Sequence, residues 1–202
     1  AFGSTFNGKS LLSYGDISCV STHATKIFNT AEGGGLTSSS EKIKEKLESY
    51  RYFGFDDNKN VIYDGINAKM SEIHAALGLA NLEGFNNTLN HRKKLDYVYR
   101  NELSNSGKLL FQRIYEGSNC SYFPIILENE DVCIKIVELL ANKNIFPRRY
   151  FYPSLNTINN LSRNQECPIS ESISKRILCL PSHNMVSIDD AIFISSIINK
   201  FI

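Results

Sequence analysis

Apolar and polar positions follow two periods along the chain, one near two residues in short runs and one near 3.6 in longer ones. The run from Ile17 to Ser21 reads as a short buried strand, and Gly34 to Thr37 as the start of another. The segment between them, which carries Lys26, is then a connecting loop. Ser38 with Glu41 three residues later has the capping-box pattern, and EKIKEKLESY after it is a charged helix with a narrow apolar side at Ile43 and Leu47. Tyr50 to Gly65, rich in aromatic, Asp, Asn and Gly residues, reads as an irregular connection. Ser71 is expected to cap SEIHAALGLANL, whose Ile73, Ala76, Leu77 and Ala80 share one face and predict a well-buried helix.

From Asn87 to Asn105 a longer pattern places Leu95, Val98, Tyr99 and Leu103 on one stripe, ended by Gly107. Such a helix can join two domains. Beyond it KLLFQRI and SYFPIIL read as strands and DVCIKIVELLANKN as a helix opened by Asp131. The remainder reads as a loop followed by two short helices capped at Ser170 and Ser187. No repeat or low-complexity segment interrupts this alternation, which predicts an α/β protein.

Composition narrows the function classes. The 202 residues are 42 % hydrophobic, enough for a substantial core, and the 22 Lys plus Arg nearly balance the 21 Asp plus Glu. The basic residues are scattered rather than gathered in a stripe, which argues against nucleic acid as a partner. No apolar run approaches the roughly 20 residues of a membrane-spanning helix, and AFGSTFNGKS has no secretory pattern, so a cytoplasmic location is expected. Cys19, Cys120, Cys133, Cys167 and Cys179 are widely spaced and never form C-x-x-C, so they read as reduced, mostly buried thiols. The chain opens on Ala1 with no initiator methionine and enters at once what reads as the middle of an α/β protein. It is therefore expected to be the later part of a longer polypeptide.

The chemistry concentrates in VSTHATKIFNTAEGGGL, Val20 to Leu36. Near a buried strand end, desolvation and neighbouring dipoles can turn a lysine such as Lys26 into a nucleophile toward carbonyls. Ser21, Thr22, Thr25 and Thr30 offer hydroxyls suited to a phosphate, while Gly33, Gly34 and Gly35 let backbone approach closely. A phosphate-bearing carbonyl cofactor meets both features, as in pyridoxal phosphate enzymes. EGGG follows the lysine and matches neither the P-loop nor the dinucleotide fingerprint; its plainer reading is a tight turn before a strand.

The run STHATKIFNTAEGGG closely resembles the cofactor-lysine segment of the DegT/DnrJ/StrS family of sugar-nucleotide aminotransferases. GINAKMSEIHAALGLANLE, Gly65 to Glu83, and RRYFYPSLN before LCLP resemble later parts of the same family. The resemblance implies the end of a fold-type I aminotransferase large domain, residues 1–85, followed by a connecting helix and small α/β domain, residues 86–202. It implies that Lys26 joins covalently to pyridoxal 5'-phosphate, that Ser21 binds the phosphate, and that Asn67 reaches a neighbouring subunit's cofactor phosphate. It further implies a homodimer with shared active sites, and an amino group passed from a donor such as glutamate to a keto-sugar nucleotide, for instance a nucleotide-linked 4-keto-6-deoxyhexose. Ala68 stands where the family often has an aromatic residue and Lys69 where it often has arginine. The family's first half, with the carboxylate partner of the ring nitrogen, lies upstream of the position matching Ala1, so this chain alone is expected to be inactive. A non-catalytic relative, acting as a binding or dimerisation module, is the competing expectation.

Other residues carry less. His23, His74, His91 and His183 include no pair at metal-ligand spacing, and no metal is expected. His23 sits beside Lys26 and either touches cofactor or substrate or bonds local backbone; His74 reads as structural. Cys19 reads as core. Arg148, Arg149, Tyr150 and Tyr152 form a cationic and aromatic patch that either meets a nucleotide sugar or is a solvated loop.

Overall fold

The structure, a computed structural model, describes residues 1–104, 107–159 and 165–202. It is a mixed α/β protein that divides into two compact units, Ala1–Leu89 with Tyr115–Asn119, and Asn90–Ile114 with Cys120–Ile202.

In the first unit, two-residue strands β1 (Thr5–Phe6) and β2 (Lys9–Ser10) form a small antiparallel hairpin. β3 (Ser18–Ser21) pairs antiparallel with β4 (Gly34–Thr37), Ser21 opposite Gly34. The Lys26 segment is thus the loop of a hairpin, as the pattern predicts. Helix α1 spans Glu41–Arg51, but its N-cap is Ser40 rather than Ser38. The Ser38 hydroxyl instead donates to the Asp16 carbonyl at 2.7 Å and accepts from the Ser40 N–H at 3.2 Å. Helix α2 (Glu72–Glu83) is capped by Ser71, as its sequence predicts, and His74 Nδ1 also bonds the Ser71 hydroxyl at 2.7 Å.

Burial departs from expectation here. Along α2 only Gly78 is buried, Ile73 is 82 % exposed, and Leu77, Leu79 and Leu82 are also exposed. Cys19 is exposed, as is all of β4, while the inward positions of β3 are half-buried. An apolar face predicts burial only where another element covers it, and among the described residues none covers these.

Between α1 and α2 the chain crosses itself at two glycines. A Cβ on Gly54, whose φ is +78°, would stand 1.8 Å from the Tyr63 carbonyl oxygen, and one on Gly65 would stand 2.0 Å from the Gly54 nitrogen. The crossing fixes the segment that leads into Asn67: Phe53 N–H donates to Ile66 O and Ile66 N–H to Tyr50 O. Gly54→Ala is expected to destabilise this loop by roughly 2 kcal/mol or more, through a clash with backbone and a disfavoured φ. Faster amide exchange across residues 50–68 is the readout; unchanged exchange would contradict the crossing.

The second unit has its own core. Helix α3 (Phe85–Leu103) enters it at Asn90, and Leu95, Tyr99 and Leu103 are fully buried along the expected stripe. The expected helix end at Asn105 lies outside the described residues. Strands β5 (Leu110–Phe111), β6 (Phe123–Ile126) and β7 (Ile177–Leu180) form an antiparallel sheet with β6 central. Against it pack α4 (Glu130–Ala141) and α6 (Ile188–Phe201), which bury Cys133, Ile136, Leu140, Ala191, Ile194 and Ile198. Tyr99 stacks on Phe123 at 4.8 Å between centroids and donates to Pro181 O at 2.8 Å, and burial pushes its phenol well above the ordinary range.

Cap positions explain two further differences. Helix α4 is opened by Asn129, whose side chain accepts from Val132 N–H, with Asp131 inside the first turn. Helix α5 (Pro168–Arg176) begins two residues before Ser170, because Pro168 fills its first position and the Glu171 carboxylate accepts from Cys167 N–H at 2.8 Å. Ser187 caps α6 in a full capping box with Asp190, and α6 runs 14 residues, longer than expected. Among the described residues no helix is long and apolar enough to cross a membrane.

Candidate active site

The β3–β4 loop is closed below Lys26 by two threonines. Thr22 N–H donates to Gly33 O at 3.0 Å and Thr30 N–H to Thr22 O at 2.8 Å. Their buried hydroxyls lie 2.7 Å apart. Because Thr30 Oγ1 also donates to Glu32 O at 2.8 Å, the proton between the two hydroxyls belongs to Thr22. Both hydroxyls are therefore committed inside the loop, and the expectation that they would serve a phosphate is corrected. Thr25 Oγ1 is likewise tied to His23 Nδ1 at 3.0 Å. That leaves Ser21, which is exposed and accepts from His23 N–H at 3.3 Å, with a hydroxyl proton to offer.

Packing fixes the rest of the loop. Phe28 stacks on Phe2 at 4.3 Å between centroids, and both rings meet Phe85 edge-on. Asn81 Nδ2 of α2 donates to Asn29 O at 2.9 Å. Gly78 lets α2 approach, since a Cβ there would lie 2.7 Å from Thr30 Cγ2. The glycine run has the same logic. Gly33 holds φ +143° with Met70, Thr30 and Thr22 within 3.0 Å of where a Cβ would stand, and a Cβ on Gly34 would lie 2.7 Å from Val20 O. EGGG is thus a close-packed exit from the loop into β4.

Lys26 projects from this frame. Its N–H donates to His23 O at 2.9 Å, closing a turn over 23–26, and its side chain is exposed. No salt bridge engages its ammonium among the described residues; the Ala1 amine is near enough that burial and the Lys26 charge lower its pKa. An exposed amine without a carboxylate partner among the described residues, on a loop pinned at four points and entered through the free hydroxyl proton of Ser21, fits a phosphate-bearing aldehyde.

Asn67 lies elsewhere in the same unit and is exposed. It pairs with Tyr52 as an isolated antiparallel bridge, and its Oδ1 accepts from Lys69 Nζ. The Lys69 ammonium sits 4.1 Å from the Phe53 ring centroid and 4.9 Å from that of Tyr52, a cation–π cage. With Oδ1 engaged, the exposed Asn67 side chain keeps its two Nδ2 N–H donors. No hydrogen bond or ion pair joins Asn67 to Lys26 or Ser21 among the described residues.

In the second unit the patch at 148–152 is partly structural. Arg149 pairs with Glu130 at 2.7 Å, holding that carboxyl below its usual range, donates to Lys175 O, and lies 3.8 Å over Tyr152. Arg148 forms a backbone bridge with Cys179, and its guanidinium carbon lies 6.0 Å from the Tyr150 ring.

Comparison with known proteins agrees with this geometry. The sequence profile of the DegT/DnrJ/EryC1/StrS aminotransferase family matches residues 1–199. A dTDP-4-amino-4,6-dideoxy-D-glucose transaminase of Shigella dysenteriae is 37 % identical over 207 residues, covering 99 % of this chain and 56 % of that protein. One of the same description from Escherichia coli is 36 % identical over 74 % of this chain and 43 % of its own length. Among solved structures, DesI in the presence of its TDP-sugar product superposes with a TM-score of 0.86 and 25 % identity over 98 % of this chain and 52 % of its own. A PLP-dependent aminotransferase from Bacillus cereus gives 0.85 and 29 % over 98 % and 55 %. The chain thus spans about half the length of the curated relatives it matches. A fold shared along nearly all of its length, and a lysine loop built as described, lead to one conclusion: the chain belongs to the DegT/DnrJ/EryC1/StrS aminotransferase family.

Proposed function

We propose that this chain carries the cofactor lysine of a pyridoxal 5'-phosphate-dependent aminotransferase that moves an amino group, from a donor such as glutamate, to a keto-sugar nucleotide. The observation that carries the proposal is Lys26 itself, an exposed amine without a salt-bridge partner among the described residues, at the tip of a loop braced by Thr22 and Thr30. Relatives described as dTDP-4-amino-4,6-dideoxy-D-glucose transaminases favour a nucleotide-linked 4-keto-6-deoxyhexose as acceptor. The proposed working form is a cytoplasmic homodimer of subunits of the relatives' length, in which residues 1–85 close the large domain and 86–202 form the connecting helix and small domain.

When bound, the cofactor supplies an aldehyde and an electron-withdrawing ring. Lys26 Nζ would hold the cofactor covalently through that aldehyde, with loss of water, and as a free amine would take up and return the proton at the reacting carbon. Ser21 Oγ donates its free proton to the phosphate. Asn67 Nδ2 donates to the phosphate in a neighbouring subunit, oriented by the bond its Oδ1 accepts from Lys69. The rigid 22–33 loop holds Nζ in one place through both half-reactions.

The assay is incubation of the full-length protein with pyridoxal phosphate, glutamate and a dTDP-linked 4-keto-6-deoxyglucose, followed by mass spectrometry of the sugar nucleotide. An amino sugar nucleotide is expected. Its absence across 4-keto-6-deoxyhexoses linked to dTDP, GDP and UDP would contradict the proposal. For Asn67, Asn67→Leu is expected to weaken cofactor binding roughly tenfold to hundredfold, the effect of losing a hydrogen bond to a charged group. Unchanged affinity in a titration of the dimer would remove Asn67 from the site.

A further inference from the structure

His23 stands three residues before Lys26, and its ring is bonded at Nδ1. Nδ1 accepts from the Thr25 backbone N–H at 3.2 Å and lies 3.0 Å from Thr25 Oγ1. An acceptor at Nδ1 places the ring proton on Nε2. Nε2 faces the Glu32 carboxylate at 3.6 Å, on the returning arm of the loop. The same residue's carbonyl accepts from Lys26 N–H, and its own N–H donates to Ser21 Oγ. Backbone and ring of this one residue together reach the outgoing arm, the turn and the returning arm.

From this arrangement we infer that His23 is a positioning residue for Lys26. Its neutral ring acts as a side-chain acceptor two residues ahead of Thr25 N–H, imposing the turn from which Lys26 projects. The inference rests on the reading of Lys26 as the cofactor lysine. A side-chain acceptor bonded to the N–H two residues on is the geometry that asparagine and aspartate adopt in Asx turns, so the imidazole here stands in for a short polar side chain. Two consequences follow. The ring must remain an acceptor at Nδ1 for the turn to hold, and an apolar side chain of similar size leaves the Thr25 N–H without its partner. The Glu32 carboxylate lies 3.6 Å from the opposite nitrogen, beyond hydrogen-bond distance, so the turn rests on the Nδ1 contacts. The charged group facing His23 is Glu32 from the returning arm; Ser21 and Thr25 contribute only uncharged groups, and Lys26 meets it through its backbone N–H.

Lys26 Nζ must meet an aldehyde in one geometry, and a displaced turn slows that encounter without removing the amine. His23 thus acts on rate through Lys26, while the fold rests on the Thr22–Thr30 pair, the Phe28 stack and the Asn81 bond.

The test uses the full-length protein stripped of cofactor and mixed with pyridoxal phosphate. The readouts are the rate at which the lysine-linked visible band appears and the peptide labelled after borohydride reduction. His23→Leu is expected to slow attachment at Lys26 about tenfold to hundredfold, with the thermal midpoint of the apo protein unchanged. His23→Asn, whose Oδ1 can accept from Thr25 N–H, is expected to restore most of the rate. Should His23→Leu not fold, His23→Gln takes its place, because its acceptor lies one bond further from the backbone and misses the turn. Equal rates in wild type, His23→Leu and His23→Asn would overturn the inference, and so would equal slowing in both variants. Label on a lysine other than Lys26 in the wild-type protein would overturn the functional reading itself, a result separable from either rate outcome.

Discussion

Lys26→Ala in the full-length protein is expected to abolish amino transfer and the lysine-linked visible band while leaving the fold intact. The substitution removes both the amine that attaches to the cofactor and the group that carries the proton. Positioned proton transfer alone contributes about 10²–10⁴-fold, so a loss of at least about four orders of magnitude in turnover is expected once the nucleophile goes too. Stability should change by less than about 0.5 kcal/mol, as for an exposed side chain that bridges nothing. The loop does not depend on Lys26 for its shape, since Thr22, Thr30, Phe28 and Asn29 hold it by other bonds. Turnover within tenfold of wild type would contradict the assignment, as would a protein that fails to fold.

The second large effect is on stability, and it separates the two units. Ile136 is fully buried between α4 and the β5–β6–β7 sheet, in a cluster with Leu95, Tyr99, Ile125, Leu178 and Ile198. Ile136→Ala is expected to cost about 2–5 kcal/mol, from lost transfer energy and the cavity left behind. For a unit of this size that lowers the midpoint of its unfolding by roughly 10–20 °C. Ile73→Ala, at a position 82 % exposed on α2, should change stability by less than about 0.5 kcal/mol in this chain and leave that midpoint in place. In the first unit Phe85 is the one large hydrophobic side chain that is buried among the described residues, and Ile17, Leu36, Ile62, Ile66, Ile73 and Leu79 are all exposed. The chain by itself is accordingly expected to associate through that surface. Calorimetry of the two variants decides it: equal midpoints would mean that the second unit does not carry the cooperative core.

Elements that declare themselves locally were legible in the sequence. The Leu95–Tyr99–Leu103 stripe, the caps at Ser71 and Ser187, and the hairpin either side of Lys26 depend on residues within a few positions of one another. Strand β7, ILCL, went unread because a short continuous apolar run has no period and here directly follows a helix without a turn. Burial of α2 and β3 was misread for a different reason. Apolar faces announce the need for a partner but not whether the partner is present. At the site, the lysine motif was legible and the roles of its hydroxyls were not. Ser21, Thr22, Thr25 and Thr30 are chemically alike in the sequence, and only the closure of the loop across eight residues commits Thr22 and Thr30 to each other. In the sequence His23 carries two readings, and its bond to Thr25 and its approach to Glu32 become visible only when both arms of the loop are in place.

Whether Lys26 is the lysine that holds the cofactor is decided by chemical labelling. The full-length protein is loaded with pyridoxal 5'-phosphate, reduced with borohydride, digested, and its labelled peptide sequenced by mass spectrometry. A phosphopyridoxyl group is expected on Lys26, within a peptide that carries IFNTAEGGG directly behind it. A label on any other lysine, or no label on a protein that nevertheless transfers amino groups, would contradict it.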